Sequence, residues 1–183
     1  MQYVDSKESV QMISIPIFRR RAAIAIPILL LACVVAITVS GRLAFGTPGS
    51  GVTVNTIVKA AFEEMDAKTH FEGHKAEIRT KGYSDVYVLS VTLAPGGQFG
   101  WHSHPGPSVV SVKSGTVTYY HAEQHGCVAR TYPAGTGFVD PGGSHVHNIR
   151  NEGPEPVELI GFQILPAGVS GRIDAPSPAT CSF

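Results

Sequence analysis

Two pairs of histidines stand out in the sequence because of their spacing. His102 and His104 follow one glycine-rich stretch, and His145 and His147 follow another. On a β-strand, residues two apart point to the same face, so each pair can direct both imidazole rings into one cavity. Neutral imidazole is a common protein ligand for zinc, iron, copper and nickel. The spacing therefore predicts a metal site on a β-sheet.

The first pair lies within a longer pattern that resembles the first motif of the cupin superfamily. That motif has a glycine, five residues, His-x-His, three or four residues, a glutamate, six residues and a final glycine. Gly96, His102, His104 and Gly115 occupy the matching positions of this chain. Ser108 stands where the family has its glutamate.

The second pair lies within a pattern that resembles the second cupin motif. That motif has a glycine, five residues, Pro-x-Gly, two residues, a histidine, three residues and an asparagine. Gly135, Pro141, Gly143, His147 and Asn151 match it, with one extra residue before the histidine. Two motifs in the right order favour the fold strongly, whereas the chemistry stays open because one fold hosts many functions.

The resemblance extends over roughly residues 85–165, with the motifs at 96–115 and 135–151. It implies an all-β fold, a cupin jelly-roll β-barrel over residues 52–183. Barrel edge strands commonly pair in this family, so the resemblance also implies a homodimer.

The resemblance implies a ligand set as well. His102, His104 and His147 are the expected ligands of a divalent metal ion, and His145 is an alternative third or fourth ligand unless a bulge turns it outward. With Ser108 in the glutamate position, neutral donors favour zinc, copper or nickel over manganese, and iron stays a candidate. A metal-free barrel whose histidines bind a ligand directly is the alternative.

Other polar residues near the motifs have less certain roles. Asp140 and Glu123 are predicted to lie in loops from which either could replace the missing glutamate, although their spacing does not require it. His121 lies near a predicted hairpin and is expected to be exposed. Trp101 is expected to point away from the ligands and to pack against a loop or a partner subunit.

Composition and patterning favour a turn-rich β domain. The chain has 20 glycines and 13 prolines but one tryptophan, and short apolar runs alternate with turn residues. A short strand is predicted at 52–55, followed by a helical turn at 60–65. The remaining predicted strands lie at 76–79, 85–93, 108–112, 116–120, 131–132, 137–139, 145–150 and 157–165.

The first part of the chain resembles a membrane-targeting segment. We expect residues 1–21, which end in three arginines, to form a cytoplasmic n-region. We expect residues 22–45 to form a transmembrane or signal-anchor helix, because eighteen successive residues carry no charge. Residues 46–51 are a linker. The cupin domain is therefore expected to be extracytoplasmic, either membrane-anchored or secreted.

Three other interpretations of the apolar segment stay open. Small residues at 40–45 allow cleavage, although no Ala-x-Ala sequence ends the run. The stretch ending in Cys33 resembles a lipobox, but a very apolar sequence follows it. The segment could also be a buried core helix.

The cysteines fit an oxidising compartment. Of three cysteines, Cys33 lies in the apolar segment, which leaves Cys127 and Cys181 in the predicted outer domain. An even pair outside the cytoplasm predicts a disulfide that ties the C-terminal tail to the barrel, with two free thiols as the alternative.

Charge and motifs together limit the possible functions. Fourteen basic and fourteen acidic residues give a net charge of zero, so nothing favours a nucleic-acid partner. The expected partners are a small-molecule ligand and, through the N-terminal helix, the membrane. Whether the protein is an enzyme stays open between a metal-dependent dioxygenase-like oxidoreductase, a binding or sensing module, and an assembly domain.

Overall fold

The computed structural model describes residues 46–124 and 126–181, which belong to one compact unit, Ala44–Phe183. Within these residues the secondary structure consists of twelve β-strands and no helix. The strands are β1 Ser50–Phe62, β2 Asp66–Phe71, β3 His74–Arg79, β4 Ser84–Gln98, β5 His102–Ser103, β6 Ser108–Ser114, β7 Thr116–Glu123, β8 Gly126–Pro133, β9 Gly137–Asp140, β10 His147–Arg150, β11 Val157–Pro166 and β12 Ile173–Asp174. The predicted all-β fold is confirmed.

Ten of the described strands form one antiparallel sheet that folds into a nearly closed barrel. One arm of the sheet has the order β1-β4-β11-β6-β9, and the other has the order β12-β5-β10-β7-β8. The arms join where Gln98, at the end of β4, pairs with Arg150, at the end of β10. This arrangement is consistent with the predicted jelly-roll. Strands β2 and β3 form a separate hairpin.

The core lies between the two arms and is built from alternating positions. In β11 every second residue is buried, from Val157 to Leu165, as a strand with one face toward the core requires. The same alternation in neighbouring strands yields one continuous apolar cluster. It comprises Val91, Leu93, Val112, Val117, Tyr119, Phe138, Ile149, Val157 and Leu159.

The first strand differs from the prediction. β1 runs without interruption from Ser50 to Phe62 and pairs with β4 almost along its length, so the helical turn predicted at 60–65 is wrong. Two features explain the difference. The β-branched residues of this segment prefer a strand, and Ala60 and Ala61 gain strand partners in β4 that local helical spacing does not anticipate.

Two glycine turns bring the motif strands together. Gly115 has φ +78°, and a side chain there would lie 2.9 Å from Val157, so glycine suits the tight turn between β6 and β7. Gly142 has φ +74°, and a Cβ atom there would lie 2.4 Å from the carbonyl oxygen of Gly106. The following N–H, that of Gly143, donates to the carbonyl oxygen of His104 at 2.7 Å.

The ends of the domain are fastened to the barrel. Cys127 and Cys181 form a disulfide, which confirms the predicted pair. Trp101 is 2 % exposed, its N–H donates to Thr47 Oγ1, and its carbonyl accepts from the N–H of Ala175. Segments from both ends of the domain therefore flank this tryptophan.

An ionic contact links β1, β4 and the chain after β11. Asp85 Oδ2 accepts a hydrogen bond from the N–H of Gly168 at 2.8 Å and lies 2.9 Å from the ammonium nitrogen of Lys59. The backbone N–H first, and then the lysine, lower the pKa of Asp85 below its usual value.

The helix predicted at 22–45 lies outside the described residues. Across 46–124 and 126–181, no helix has the length and apolar character needed to cross a membrane.

Candidate metal centre

Three of the four motif histidines meet inside the barrel. His102 begins β5, His147 begins β10, and the two residues pair directly across these strands. His104 follows β5. The ring centroids of His102 and His147 lie 4.4 Å apart, and that of His104 lies 4.8 Å from the first and 5.3 Å from the second. The predicted convergence of the two motifs is therefore present.

Each of these three imidazoles is oriented by a backbone carbonyl. Their Nδ1 atoms donate to the carbonyl oxygens of Gly100, Gly171 and His145 respectively, with His102 at 2.8 Å and His147 at a longer 3.3 Å. A carbonyl only accepts hydrogen bonds, so Nδ1 carries the proton and Nε2 keeps its lone pair. Metal-binding histidines typically have this kind of support.

The surroundings keep two of the three rings neutral. His102 and His147 are each 1 % exposed. Burial, with a smaller effect of the neighbouring His147, lowers the pKa of His102 to about 2. Burial also lowers the pKa of His147, although the nearby carboxylate of Asp140 opposes this shift. Neutral imidazole is the form that binds metal.

The donor set fits a divalent ion. One ring nitrogen from each of His102, His104 and His147 lies within 4.8 Å of the others. Lone pairs that face one another without protons between them repel, and a cation at their centre removes this repulsion. Three histidines that leave a further position open are a known arrangement for catalytic zinc. These residues could therefore hold a metal ion.

A second group of possible ligands shares one histidine with the first. Asp140, His145 and His147 each offer an atom within 4.8 Å of the others. Asp140 Oδ1 accepts from His145 Nδ1 at 3.2 Å and from the hydroxyl of Tyr119 at 3.5 Å. Burial, and then the charge of Asp140, raise the pKa of Tyr119, so its hydroxyl stays protonated and donates to the carboxylate.

The fourth motif histidine lies apart from the three that converge. The strand predicted at 145–150 begins only at His147, so His145 precedes it in a turn and does not share the alternation of that strand. Its side chain is 33 % exposed, and its Nδ1 points at Asp140. The three residues between Gly143 and His147, one more than the motif has, lie outside the strand. That His145 binds the ion stays a prediction.

Two residues near the site behave differently from the sequence-based expectation. The side chain of His121 is only 14 % exposed, its ring lies 5.3 Å from that of His145, and it pairs with His147 across β7 and β10. The expectation that His121 is exposed is therefore wrong. Glu123 is exposed and contacts His121 Nε2 at 3.1 Å, so it does not point at the histidine cluster.

Asn151 has a structural role in the second motif. It is 1 % exposed, and its Nδ2 donates to the carbonyl oxygens of Leu93, Ala94 and Glu155 at 2.7 to 3.2 Å. Its Oδ1 accepts from the N–H of Gly153. The side chain therefore fastens the end of β10 to β4, which holds His147 in place.

Two cavities adjoin the histidines. The larger, of about 700 Å³, is open to solvent and is lined by His102 and His104 together with Tyr87, Val169 and Arg172, among others. The smaller, of about 70 Å³, reaches the same two histidines from the apolar interior. The histidine cluster is thus adjoined by one large open cavity and one small apolar cavity.

Both motifs fall within a recognised domain. Residues 89–162 match the family described as Cupin domain. This segment of the chain is a cupin domain. This result confirms the resemblance drawn from the two motifs, and the cupin domain contains the histidine cluster described above. Comparison with curated proteins gives no match.

Solved structures with a similar chain path were also found. A cupin domain from Bordetella pertussis Tohama I is 19 % identical, with 64 % of this chain and 95 % of that chain covered and a TM-score of 0.41. A double-stranded β-helix protein from Klebsiella pneumoniae is 22 % identical, with 63 % and 81 % covered and a TM-score of 0.42. Oxalate decarboxylase from Lactobacillus farciminis, as a formate complex, is 22 % identical, with 49 % and 26 % covered and a TM-score of 0.42.

Proposed function

We propose that this protein is an extracytoplasmic cupin that binds a divalent metal ion through His102, His104 and His147 and uses the ion to hold a small ligand. The observation that carries the proposal is the orientation of the three imidazoles. Each Nδ1 atom donates to a backbone carbonyl, and the lone pairs remain for a common centre. Zinc, iron, copper and nickel suit these nitrogen donors.

The metal ion would supply Lewis-acid chemistry to an oxygen atom of the ligand. The protein residues provide the setting for this chemistry. The buried His102 and His147 exclude water from one side, while the large cavity gives a ligand access from the other. Gly171, whose carbonyl orients His104, also lines that cavity, so ligand binding and metal support involve the same segment.

The cavity favours a compact ligand with an apolar body. Its volume of about 700 Å³ is within the range of small-molecule sites. Tyr87, Leu89 and Phe99 supply apolar wall, and the ion pair of Arg172 with Asp174, at 2.6 Å, supplies polar groups at the same cavity.

The test of metal binding is titration of the metal-free full-length protein with cobalt(II), followed by its visible spectrum and by calorimetry. We expect one ion per chain and loss of binding in His102→Ala/His104→Ala. The matched control is His70→Ala/His74→Ala, which removes two exposed histidines of the β2–β3 hairpin. Equal binding by both double variants would contradict the proposal, and a folded protein that binds no ion would favour the metal-free ligand barrel.

A dioxygenase-like oxidoreductase is the second candidate function. The cavity of about 70 Å³ beside His102 and His104 supports it, because apolar residues of the barrel line most of this space and its size suits a diatomic gas. The test is oxygen uptake by the iron(II)-loaded protein with a panel of small organic acids. Uptake that exceeds that of the His102→Ala/His104→Ala variant would support oxidation, and equal uptake would contradict it.

The extracytoplasmic location has two supports. One is the sequence, in which three arginines precede the apolar segment. The other is the Cys127–Cys181 disulfide, since such bonds persist mainly in oxidising compartments. A reporter enzyme that is active only outside the cytoplasm, fused after residue 183, tests this location. An active fusion is expected, and activity only of a cytoplasmic reporter would contradict it.

Self-association of the domain is supported by β1. This strand pairs with β4 on one edge, and within the described residues its other edge has no strand partner. Ile57 and Val58 on β1 are 60 % and 50 % exposed. Light scattering should give the mass of a dimer, and Ile57→Lys should yield a monomer. A monomeric parent protein would contradict a homodimer.

A further inference from the structure

Strand register places a carboxylate beside the position of the missing glutamate. Ser108 on β6, which stands where the motif has glutamate, pairs directly with Asp140 on β9. Directly opposite residues of an antiparallel pair project to the same face. Both are buried, whereas the next pair, Val109 and Val139, is 50 % and 64 % exposed. Asp140 therefore points into the barrel from the strand next to the motif position.

The two oxygens of this carboxylate have different surroundings. Oδ1 accepts hydrogen bonds from His145 and Tyr119. Oδ2 is buried and has no hydrogen-bond partner in the structure. It lies 3.9 Å from Nε2 of His104, and the side chain of Asp140 as a whole is 2 % exposed. One oxygen is thus fixed by two donors, and the other is left facing the histidine cluster.

The unpartnered Oδ2 atom would be stabilised by a cation. A buried carboxylate oxygen without a hydrogen-bond partner is costly. His104 does not satisfy Oδ2 by a hydrogen bond, because the 3.9 Å between its Nε2 atom and Oδ2 is too long for one. Two ligand atoms about 2.1 Å from one tetrahedral ion lie about 3.4 Å apart. The observed 3.9 Å is therefore close to the separation of two ligands of one metal.

We propose that Asp140 is a metal ligand that replaces the family's glutamate, so that the centre has three histidines and one aspartate. Tyr119 and His145 are then positioning residues that hold Oδ1 and turn Oδ2 toward the ion. This inference rests on the proposed metal-binding function and adds to it. The carboxylate lowers the net charge of the loaded centre and extends its metal range to harder ions such as manganese(II).

The test compares the metal affinities of full-length variants that carry the carboxylate on different strands. Asp140→Asn should weaken manganese(II) and cobalt(II) binding about 100-fold, the upper end for removing a supporting group. Ser108→Ala, which alters the opposite residue of the pair, should keep affinity within about threefold. Ser108→Glu/Asp140→Asn returns a carboxylate to the motif position. Its metal affinity should be at least one tenth of the affinity of the parent protein. Circular dichroism checks the fold of each variant.

A spectroscopic variant separates a ligand from a positioning residue. In Asp140→Cys a thiolate replaces the carboxylate, and thiolates bind cobalt. A sulfur-to-cobalt charge-transfer band should appear in this variant and not in the parent protein. If the variant misfolds, the Ser108→Glu/Asp140→Asn protein decides the question, since unchanged weak binding there would overturn the proposal.

Failure of the proposal for Asp140 can be distinguished from failure of the proposed metal binding by the three histidines. Parent protein that binds cobalt, with Asp140→Asn binding equally well, would overturn only the role of Asp140. Weakened binding in Asp140→Asn together with folded Asp140→Cys that lacks the band would reduce Asp140 to a positioning residue and also overturn the proposal. A parent protein that binds no ion would refute both claims.

Discussion

The disulfide links the stability of the domain to the geometry of the histidine cluster. Cys127 on β8 is bonded to Cys181 near the end of the chain, across a sequence separation of 54 residues. Between them lies the tail segment that supplies β12, which pairs with β5 at His102. The same segment supplies the carbonyl of Gly171 that orients His104. Removing the bond should therefore affect both folding and metal binding.

The expected loss of stability follows from the length of the closed loop. The chain-entropy relation for a loop of about 55 residues gives about 4 kcal/mol at 25 °C. In a compact unit of this size, such a loss lowers the melting temperature by about 10–15 °C. Metal affinity should fall as well, since a looser tail no longer holds the proton of His104 at Nδ1.

The assay is thermal denaturation of Cys127→Ser/Cys181→Ser, followed by circular dichroism without metal and then by cobalt(II) titration. Cys33→Ser is the matched control, because it removes a cysteine that lies outside the disulfide. An unchanged melting temperature in the double variant would refute the stabilising role. A lower melting temperature with unchanged cobalt affinity at a temperature where the variant is folded would refute the link to His104.

Three further changes test other parts of the structure. Asn151→Ala should destabilise the domain by about 3 kcal/mol in urea, because it leaves buried carbonyl groups unpaired; a loss below 1 kcal/mol would argue against this role. Gly143→Ala should lower the free energy of unfolding by about 1–2 kcal/mol, because alanine is strained in the left-handed conformation. Gly142→Ala should lower it further, because only there would the new Cβ atom meet a backbone oxygen. Equal losses in the two variants would contradict this reason. Asp85 has a lowered pKa, so it stabilises the fold above its unfolded-state pKa and this contribution disappears as the pH falls through the folded-state value. Melting temperatures across an acid series should therefore fall less steeply in Asp85→Asn, and parallel curves would contradict this expectation.

Much of the fold could be predicted from local sequence. Alternating apolar residues and glycine turns identified most of the barrel strands, since these signals depend on a few neighbouring residues. The segment at 60–65 was misassigned because its apolar spacing fits a helix in isolation, whereas its pairing with β4 is a long-range contact. The short strands β5 and β12 carry no periodic signal of their own.

The site was predictable in part for the same reason. Motif spacing predicted that His102, His104 and His147 lie together, because the two motifs have fixed places in the family's fold. The position of Asp140 depends on the register between β6 and β9, which one sequence does not reveal. His145 illustrates the limit of periodicity, because it lies two residues from His147 in the sequence but precedes the strand that begins there.

The most direct test of the central claim is the metal content of the full-length protein as isolated, measured by inductively coupled plasma mass spectrometry beside His102→Ala/His104→Ala. We predict close to one equivalent of a divalent transition metal per parent chain and almost none in the variant. A folded parent protein without metal, or a variant that retains the full equivalent, would contradict the assignment of the three histidines as the metal centre.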